Sequence, residues 1–304
     1  MKRARGYKKG QFKGVNRKLL LPVSEPTELM SFLIERLPKQ SRNNIKSLLT
    51  RGQVSIDGKI VHQYNHPLRP GQEVVVDSSP NWGKEVGGGL KILFEDQHLI
   101  VVDKPAGLLT IASDTERKRT AYHQLTDYVR EKNPHNRIFI VHRLDRDTSG
   151  VIIFAKHEEV KRLFQDNWRD FVTERSYVAV VEGRIDKDGD TIRSWLLETK
   201  TRLIYSSSTP GDGLEATTNY RVLQTSSKYS LLEIHLETGR KNQIRVHMHD
   251  IGHPIAGDKK YGAQTDPLHR LALHARVLAF RHPISGEPMR FETEIPPQFV
   301  ALLR

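Results

Sequence analysis

Hydrophobic positions near the start of the chain change from helical to strand-like spacing. Apolar residues recur with the period of a helix over residues 29–37 and again over 45–49, which predicts two helices with Ser41 as the N-cap of the second. Alternating residues then lead to Asp57-Gly58, a pair typical of a β-hairpin turn. The order helix, helix, hairpin predicts a compact domain over residues 26–78.

From residue 90 onward short apolar runs dominate, and they predict a strand-rich domain over residues 90–304. The predicted strands are Lys91–Phe94, Leu99–Val102, Ile138–Val141, Val151–Phe154, Tyr177–Val181 and Leu231–Leu236. Helical patterns occur near Ala121–Lys132 and Glu158–Trp168. Because strands outnumber helices without regular alternation, the predicted fold class is α+β with a mixed or antiparallel sheet. Residues 79–89, which include three consecutive glycines, predict a linker between the two domains.

Positive charge is concentrated at one end of the chain. The 304 residues include 48 Lys and Arg against 36 Asp and Glu, a net charge of +12. Eight of the cations, and no acid, fall within residues 1–18. With few apolar residues this segment cannot form a core, so residues 1–25 are predicted to be a disordered basic arm. The excess charge indicates a polyanionic partner, most simply nucleic acid.

The composition excludes several classes of protein. The chain has no cysteine, which excludes disulfides, thiolate metal sites and cysteine nucleophiles. No stretch approaches the ~20 apolar residues of a membrane span, and the apolar run Leu19-Leu20-Leu21 is too short for a secretory leader. We therefore expect a cytoplasmic protein without a membrane partner.

A polar loop dense in charge separates two predicted strands and spans residues 142–150. Asp145 and Asp147 lie there among Arg143 and Arg146, and nearby opposite charges keep a carboxylate ionised. A carboxylate at the rim of a sheet can act as a nucleophile or a base. The same residues can equally form a salt-bridged hairpin turn, and the chemistry of the loop alone favours that structural role.

The order of residues in this loop, His-Arg-Leu-Asp-Arg-Asp-Thr-Ser-Gly, closely resembles the catalytic loop of RluA-type pseudouridine synthases. Its first four residues favour that branch over the RsuA branch, which has Gly-Arg-Leu-Asp. Further segments resemble motifs of the same family, and the resemblance extends over about residues 90–300. These segments are 104–107, 175–179, 236–247, 251–258, 261–262 and 270–275. One departure is Asn242, where the family often has histidine.

Residues 41–71 resemble the S4 RNA-binding domain, from Ser41-Arg42 to Arg69-Pro70-Gly71. In that family the second helix and the following turn present basic groups to structured RNA. The resemblance implies RNA contacts from Arg42, Lys46 and Arg51. The alternative is that these charges form an ordinary solvated helix face.

The resemblance to pseudouridine synthases implies a role for Asp145 as the essential aspartate. Pseudouridine formation breaks the N1–C1′ glycosidic bond, rotates the uracil and rejoins it through C5. Asp145 would begin this reaction by attacking C1′ or by taking a C2′ proton to give a glycal, and the sequence leaves both routes open. The alternative for this residue is the salt-bridged turn.

Three further roles follow from the same resemblance. Tyr177 would lie against the target base, where its ring can stack on uracil and its hydroxyl can transfer a proton at C5. Arg245 would pair with Asp145 from a short helix that begins near Asn242 and has Gly252 as its C-cap. Arg143 would contact RNA phosphate and help to displace the base. The alternatives are a core tyrosine, a surface arginine and an arginine that only braces the loop.

The implied function is RNA pseudouridine synthesis, with large-subunit ribosomal RNA as the expected substrate and transfer RNA as an alternative one. A non-catalytic RNA-binding or ribosome-assembly factor explains the basic arm equally well, but it does not explain why Asp145, Tyr177 and Arg245 are all present. A glycosidase with paired carboxylates has little support. Because the isomerisation is redox-neutral, we expect no organic cofactor and no metal, and we expect a monomer with RNA on its basic surface.

Overall fold

A computed structural model describes residues 18–38, 40–50, 53–61, 63–77, 83–114 and 116–304. The chain divides into two compact units, Met1–Gly83 and Lys84–Arg304. None of the described helices is long and apolar enough to cross a membrane.

The first unit combines short strands with two helices. Its strands are β1 (Lys18–Pro22), β2 (Thr27–Glu28), β3 (Val54–Ile56), β4 (Lys59–Ile60), β5 (Pro67–Leu68) and β6 (Glu73–Asp77). Its helices are α1 (Leu29–Arg36) and α2 (Arg42–Thr50). Four of the described strands form an antiparallel sheet in the order β1-β6-β3-β4, and β2 pairs with β5. Leu29, Leu33 and Leu49 of the predicted helices are buried in the core of this unit. The backbone N–H of Asn44 donates to Ser41 Oγ at the predicted N-cap, 3.2 Å away.

The position of β1 corrects the predicted arm. Residues Lys18–Pro22 were expected in a disordered arm, but they pair along β6, with Leu20 opposite Val75. Consecutive leucines give the segment enough apolar surface to join a sheet, and Leu21 is buried. The predicted arm therefore extends too far, and residues 1–17 lie outside the described part of the chain.

The second unit is built on one large sheet. Its strands are β7 (Glu85–Val86), β8 (Leu90–Glu95), β9 (Leu99–Lys104), β10 (Phe139–Ile140), β11 (Ser149–Ala155), β12 (Val172–Glu182), β13 (Gly189–Glu198), β14 (Ile204–Ser207), β15 (Leu214–Thr225), β16 (Tyr229–Leu236), β17 (Leu273–Arg281) and β18 (Pro288–Glu292). Its helices are α3 (Ala121–Lys132), α4 (Glu158–Asp166), α5 (Trp168–Phe171), α6 (Gln243–Asp250) and α7 (Pro297–Ala301), with a 3₁₀ turn at Lys259–Tyr261. The sheet confirms the predicted α+β class.

Strand order in this sheet is β14-β13-β15-β16-β12-β17-β11-β9-β8-β7, with β10 beside β11 and β18 beside β17. Throughout the described sheet, neighbouring strands run antiparallel except β11 and β17, which run parallel. Strand β7 lies inside the predicted linker 79–89 and pairs with β8. Val86 is buried, and the three glycines form the turn into β8. That linker prediction is wrong for residues 85–86.

Two apolar cores flank the parallel pair. One lies under β12, β15 and β16 with α6, and the other lies under β8, β9 and β11 with α3. Tyr177 packs against both cores. Gly150 faces Ala275 at the junction with a φ of 113°, and a Cβ there would collide with the Ala275 carbonyl. Glycine is required at this position because the two strands approach too closely for a side chain.

Candidate active site

The backbone on both sides of Asp145 is fixed by the segment that follows β9. The Leu144 N–H donates to Thr110 Oγ1 over 3.2 Å, and the Thr110 hydroxyl donates to the Leu144 carbonyl over 2.7 Å. The Arg146 carbonyl accepts from Lys104 Nζ at 3.0 Å and from the Gly107 N–H at 2.9 Å. Because both neighbouring residues are held, the main-chain position of Asp145 is fixed by this segment.

Lys104 is fully buried at the end of β9. Besides Arg146, its ammonium donates to the carbonyls of Pro105 at 3.0 Å and Leu108 at 2.7 Å. Burial lowers the pKa of Lys104 to about 7, against the opposing charges of Asp147 and Asp145. The lysine therefore joins residues 105–108 to the loop through main-chain oxygens.

Arg245 approaches Asp145 from α6. Its Nη1 lies 3.4 Å from Asp145 Oδ2, while Nε and Nη2 donate to the two oxygens of Asp258 at 2.7 Å each. The Asp258 side chain is 1% exposed, that of Arg245 15% and that of Asp145 32%. Burial alone would lower the pKa of Arg245, but the hydrogen bonds and charge of Asp258, with the charge of Asp145, raise it. The two-oxygen clamp on Asp258 thus fixes a permanent cation beside a more accessible carboxylate.

Asn242 precedes α6 and bridges two groups of the site. Its backbone is left-handed with φ 55°, a conformation that asparagine tolerates better than most residues. Its side chain accepts from Arg245 Nη1 at 3.2 Å and donates to the Tyr261 hydroxyl at 3.0 Å. The Arg245 guanidinium also lies 4.8 Å from the centre of the Tyr261 ring. Asn242, the departure from the family pattern, therefore contacts the predicted arginine directly.

The short helix predicted near Asn242 begins at Gln243, and its end differs slightly from the prediction. Ile251 is the C-cap, and Gly252 follows in the left-handed conformation, with its N–H donating to the His249 carbonyl at 2.9 Å. Inside the helix, His247 is fully buried with both ring nitrogens bonded to hydroxyls, those of Ser194 and Thr218. Burial lowers the pKa of His247 to about 4, so this histidine is neutral at pH 7.

Tyr177 lies on β12 between Ile234 of β16 and Ala275 of β17. The pairing with β17 shifts register between Ser176 and Tyr177. Burial raises the pKa of the Tyr177 phenol, the charge of Arg175 opposes this and the charge of Asp145 adds to it. The phenol is therefore a neutral hydrogen-bond donor at pH 7.

Asp145, Tyr177 and Arg245 line one cavity of about 280 Å³. Apolar walls come from Leu236 and Leu273, and the cavity has room for a nucleobase. A wider cleft of about 1080 Å³ is also lined by Asp145 and Arg245. The cleft contains several cations, namely Arg119, Arg146, Lys241, Lys259, Lys260 and Arg270. A carboxylate with a fixed cation, a phenol and apolar walls is an arrangement suited to chemistry on one nucleotide of a polyanion.

The family of RNA pseudouridylate synthases matches residues 98–250. RNA pseudouridine synthase YhcT of Bacillus subtilis is 30% identical over 297 residues, which cover 96% of this chain and 98% of that protein. The chain belongs to the RNA pseudouridylate synthase family. Ribosomal large subunit pseudouridine synthase D of Nitrosomonas europaea is 34% identical, over 90% of this chain and 82% of that protein.

A solved structure of human RNA pseudouridylate synthase domain containing 1 is also similar to this synthase. Its TM-score is 0.56 at 25% identity, covering 70% of this chain and 87% of that one. The predicted membership of the pseudouridine synthases is confirmed, and the chain is an isomerase that acts on RNA. The resemblance of residues 41–71 to the S4 domain stays a prediction.

The structure brings four predicted site residues to one cavity of the synthase: Asp145, Tyr177, Arg245 and, with an exposed side chain, Arg143. The predicted RNA contacts belong to the other unit. There, Arg42 and Lys46 are exposed on α2, as the helix-face alternative also requires. Arg51 lies outside the described residues.

The sequence did not identify several residues of the site as functional. Asp258, Tyr261, Lys104 and Thr110 contact Arg245 or the peptides beside Asp145. The first three lie in segments that resemble motifs of the family, and this resemblance is the feature of the sequence that could have indicated them. Their burial and partners depend on tertiary contacts, so residue type and spacing could not reveal them.

Proposed function

We propose that this synthase isomerises one or more uridines of large-subunit ribosomal RNA, with Asp145 as the catalytic aspartate. The single observation behind the role of Asp145 is its contact with Arg245, 3.4 Å away, in the cavity that Tyr177 also lines. The substrate class is supported by relatives named ribosomal large subunit pseudouridine synthase D, which are 32–34% identical to this chain.

Asp145 can begin the reaction in two ways, and both need an ionised, oriented carboxylate. In one, an oxygen attacks C1′ and the N1–C1′ bond breaks with its electron pair on uracil N1. In the other, the carboxylate removes the C2′ proton and the same bond breaks to leave a glycal. Arg245, held by Asp258, stabilises the negative carboxylate and limits its rotation.

Tyr177 acts on the base in the second half of the reaction. The detached uracil turns so that C5 faces C1′. A C5–C1′ bond then forms as the C1′–O bond to Asp145 breaks or, in the glycal route, as Asp145 returns the proton to C2′. The C5 proton leaves, and N1 ends protonated. The neutral phenol is suited to relay a proton near C5, and the ring offers a surface on which uracil stacks. Substrate and product have the same atoms and oxidation state, so the reaction itself consumes no second substrate.

RNA contacts would offset the cost of extruding the target uridine. Extrusion breaks stacking and costs a few kcal/mol. Arg143 at the cavity, and Arg42, Lys46 and Arg51 of the other unit, are the cations we assign to RNA phosphates. We also propose that the protein acts as a monomer in the cytoplasm.

The test is to map pseudouridines in ribosomal and transfer RNA from cells that lack this protein and from cells given it back. We expect loss at large-subunit positions and recovery with the wild type. Asp145→Asn should not restore them, since the rate should fall at least about 10⁴-fold. Asp190→Asn is the control, because Asp190 is an exposed carboxylate of the same unit that pairs with Lys187.

Other outcomes would contradict parts of this proposal. Loss of pseudouridine from transfer RNA alone would identify transfer RNA as the substrate instead of ribosomal RNA. Unchanged pseudouridine in both RNA classes would favour the non-catalytic RNA-binding factor. Full recovery with Asp145→Asn would remove Asp145 from the chemistry.

A further inference from the structure

Arg175 lies two residues before Tyr177 on β12, so the alternation of side chains along a strand places both on the same face. Its guanidinium lies 5.6 Å from the centre of the Trp168 ring. On another side it covers Gly239, where an added Cβ would collide with Nη1. Gly239 itself lines the cavity of Asp145. Arg175 therefore packs directly behind one wall of the candidate active site.

Within the described residues, Arg175 has no carboxylate partner and its side chain makes no hydrogen bond. Other arginines of the same sheet differ. Arg276 contacts Glu233 and Glu292, and Arg290 contacts Glu174 and Glu292. A partly buried charge without a counter-ion is unfavourable unless something compensates for it.

The neighbours of Arg175 do not compensate for its charge. Trp168 and Gly239 are uncharged, and burial together with the charge of Arg175 lowers the pKa of His142 to about 3, so this histidine is neutral. Burial also lowers the pKa of Arg175 itself, and only Tyr177 acts in the opposite direction. Stacking on an indole attracts a cation but leaves its hydrogen-bond donors unused. The positive charge of Arg175 is therefore neutralised only when an anion binds to it.

We propose that Arg175 binds a backbone phosphate of the substrate RNA next to the nucleotide whose base enters the Tyr177 cavity. A guanidinium presents paired donors that match phosphate oxygens, and it remains charged when partly desolvated. RNA supplies one phosphate for each nucleotide, so an anion is always close to a base stacked on Tyr177. This assignment rests on the proposed function, and it adds a binding residue that holds the strand while the base reacts.

The test measures RNA affinity at several salt concentrations with the full chain. The probe is large-subunit ribosomal RNA transcribed in vitro, which carries no modification. Each phosphate contact contributes about 0.7–0.9 to the slope of log affinity against log salt concentration. We expect Arg175→Gln to bind about tenfold more weakly and to reduce this slope by about one contact. Arg175→Lys should keep most of the slope because it keeps the charge.

Arg162→Gln is the matched control, because Arg162 is exposed on α4 and already pairs with Glu158. It should bind with the wild-type slope. Thermal unfolding of each variant separates binding from packing on Trp168. A wild-type slope for Arg175→Gln, with or without a lower melting temperature, would overturn the proposal.

Turnover provides a second readout. KM should rise in Arg175→Gln while kcat at saturating RNA stays within about twofold, as expected for loss of uniform binding. A fall in kcat at unchanged KM would overturn the proposal. The binding slopes need no turnover, so they test Arg175 even if the wild type proves not to modify ribosomal RNA.

Discussion

The two sides of the cavity are held in place by different interactions. On the loop side, main-chain groups beside Asp145 are bound by Lys104 and Thr110. On the α6 side, charged and polar side chains bind one another, with Asp258 clamping Arg245. The loop side thus depends on hydrogen bonds to main-chain carbonyls, and three of them come from the ammonium of Lys104, whose pKa is about 7. The α6 side depends on the pairing of opposite buried charges, so removal of one charge should disrupt it more strongly.

Asp258→Asn should give the largest effect. It removes the buried negative charge beside Arg245, and breaking such a pair typically costs about 3–5 kcal/mol of unfolding free energy. The freed guanidinium should turn fully towards Asp145 and no longer hold this carboxylate in its orientation for the reaction. The expected result is a fall in kcat that is larger than the change in KM. Urea unfolding and steady-state kinetics measure the two effects.

Asp186→Asn is the control for this prediction, because Asp186 pairs with Arg184 at the surface. Exposed pairs contribute about 0–1 kcal/mol. Equal losses of stability in the two variants would show that the buried clamp is not special.

Acid should destabilise the α6 side through His247. Its pKa of about 4 in the folded state lies below the ordinary value of 6.5, because the site is buried. The unfolded chain therefore binds the proton more readily. Neutral His247 therefore contributes fully to the free energy of unfolding above pH 6.5. This contribution declines as the pH falls towards 4, by up to about 3 kcal/mol.

Urea unfolding between pH 7 and 4 checks this prediction. His247→Gln should flatten the dependence in that window, whereas His249→Gln, on the exposed face of the same helix, should follow the wild type. Parallel curves for wild type and His247→Gln would contradict the assignment.

Lys104→Met should give a smaller effect, and mainly on activity. The variant loses the donor to three main-chain carbonyls, but it also removes a buried charge and its desolvation cost. Small displacement of Asp145 should lower kcat about 10- to 100-fold, with KM within about twofold. Lys91→Met, on the exposed face of β8, is the control. Lower stability with unchanged kcat would assign Lys104 to the core alone.

Local patterns predicted helices α1 to α4, because their spacing is set by neighbours in sequence, but they did not predict a separate α5 or α7. Helix α3 has the predicted bounds, and Ser41 caps α2 as expected. Strand β13 was not predicted because much of it is exposed, so its apolar residues do not form a clear run. Strand β1 was assigned to a charged arm because its pairing with β6 depends on residues more than fifty positions away.

The candidate site was predicted by resemblance rather than by physical pattern. Asp145 and Arg245 are 100 residues apart in the sequence, and they come into contact only in the folded domain. The loop sequence alone favoured a salt-bridged turn, and Arg146 with Asp147 does form such a pair. Asp258 could not be distinguished from a surface carboxylate, because its burial and its pairing with Arg245 depend on tertiary contacts.

The parallel pair of β11 and β17 has a consequence for the order of folding. Ser149 and His274 meet across 125 residues, whereas most other neighbours in the sheet pair with a strand close in sequence. During synthesis the N-terminal strands leave the ribosome first and closure of such a long loop comes late. Each half of the sheet can therefore form on its own core while the cavity between them is still open. A nascent chain gains its nucleotide pocket only when β17 inserts beside Gly150.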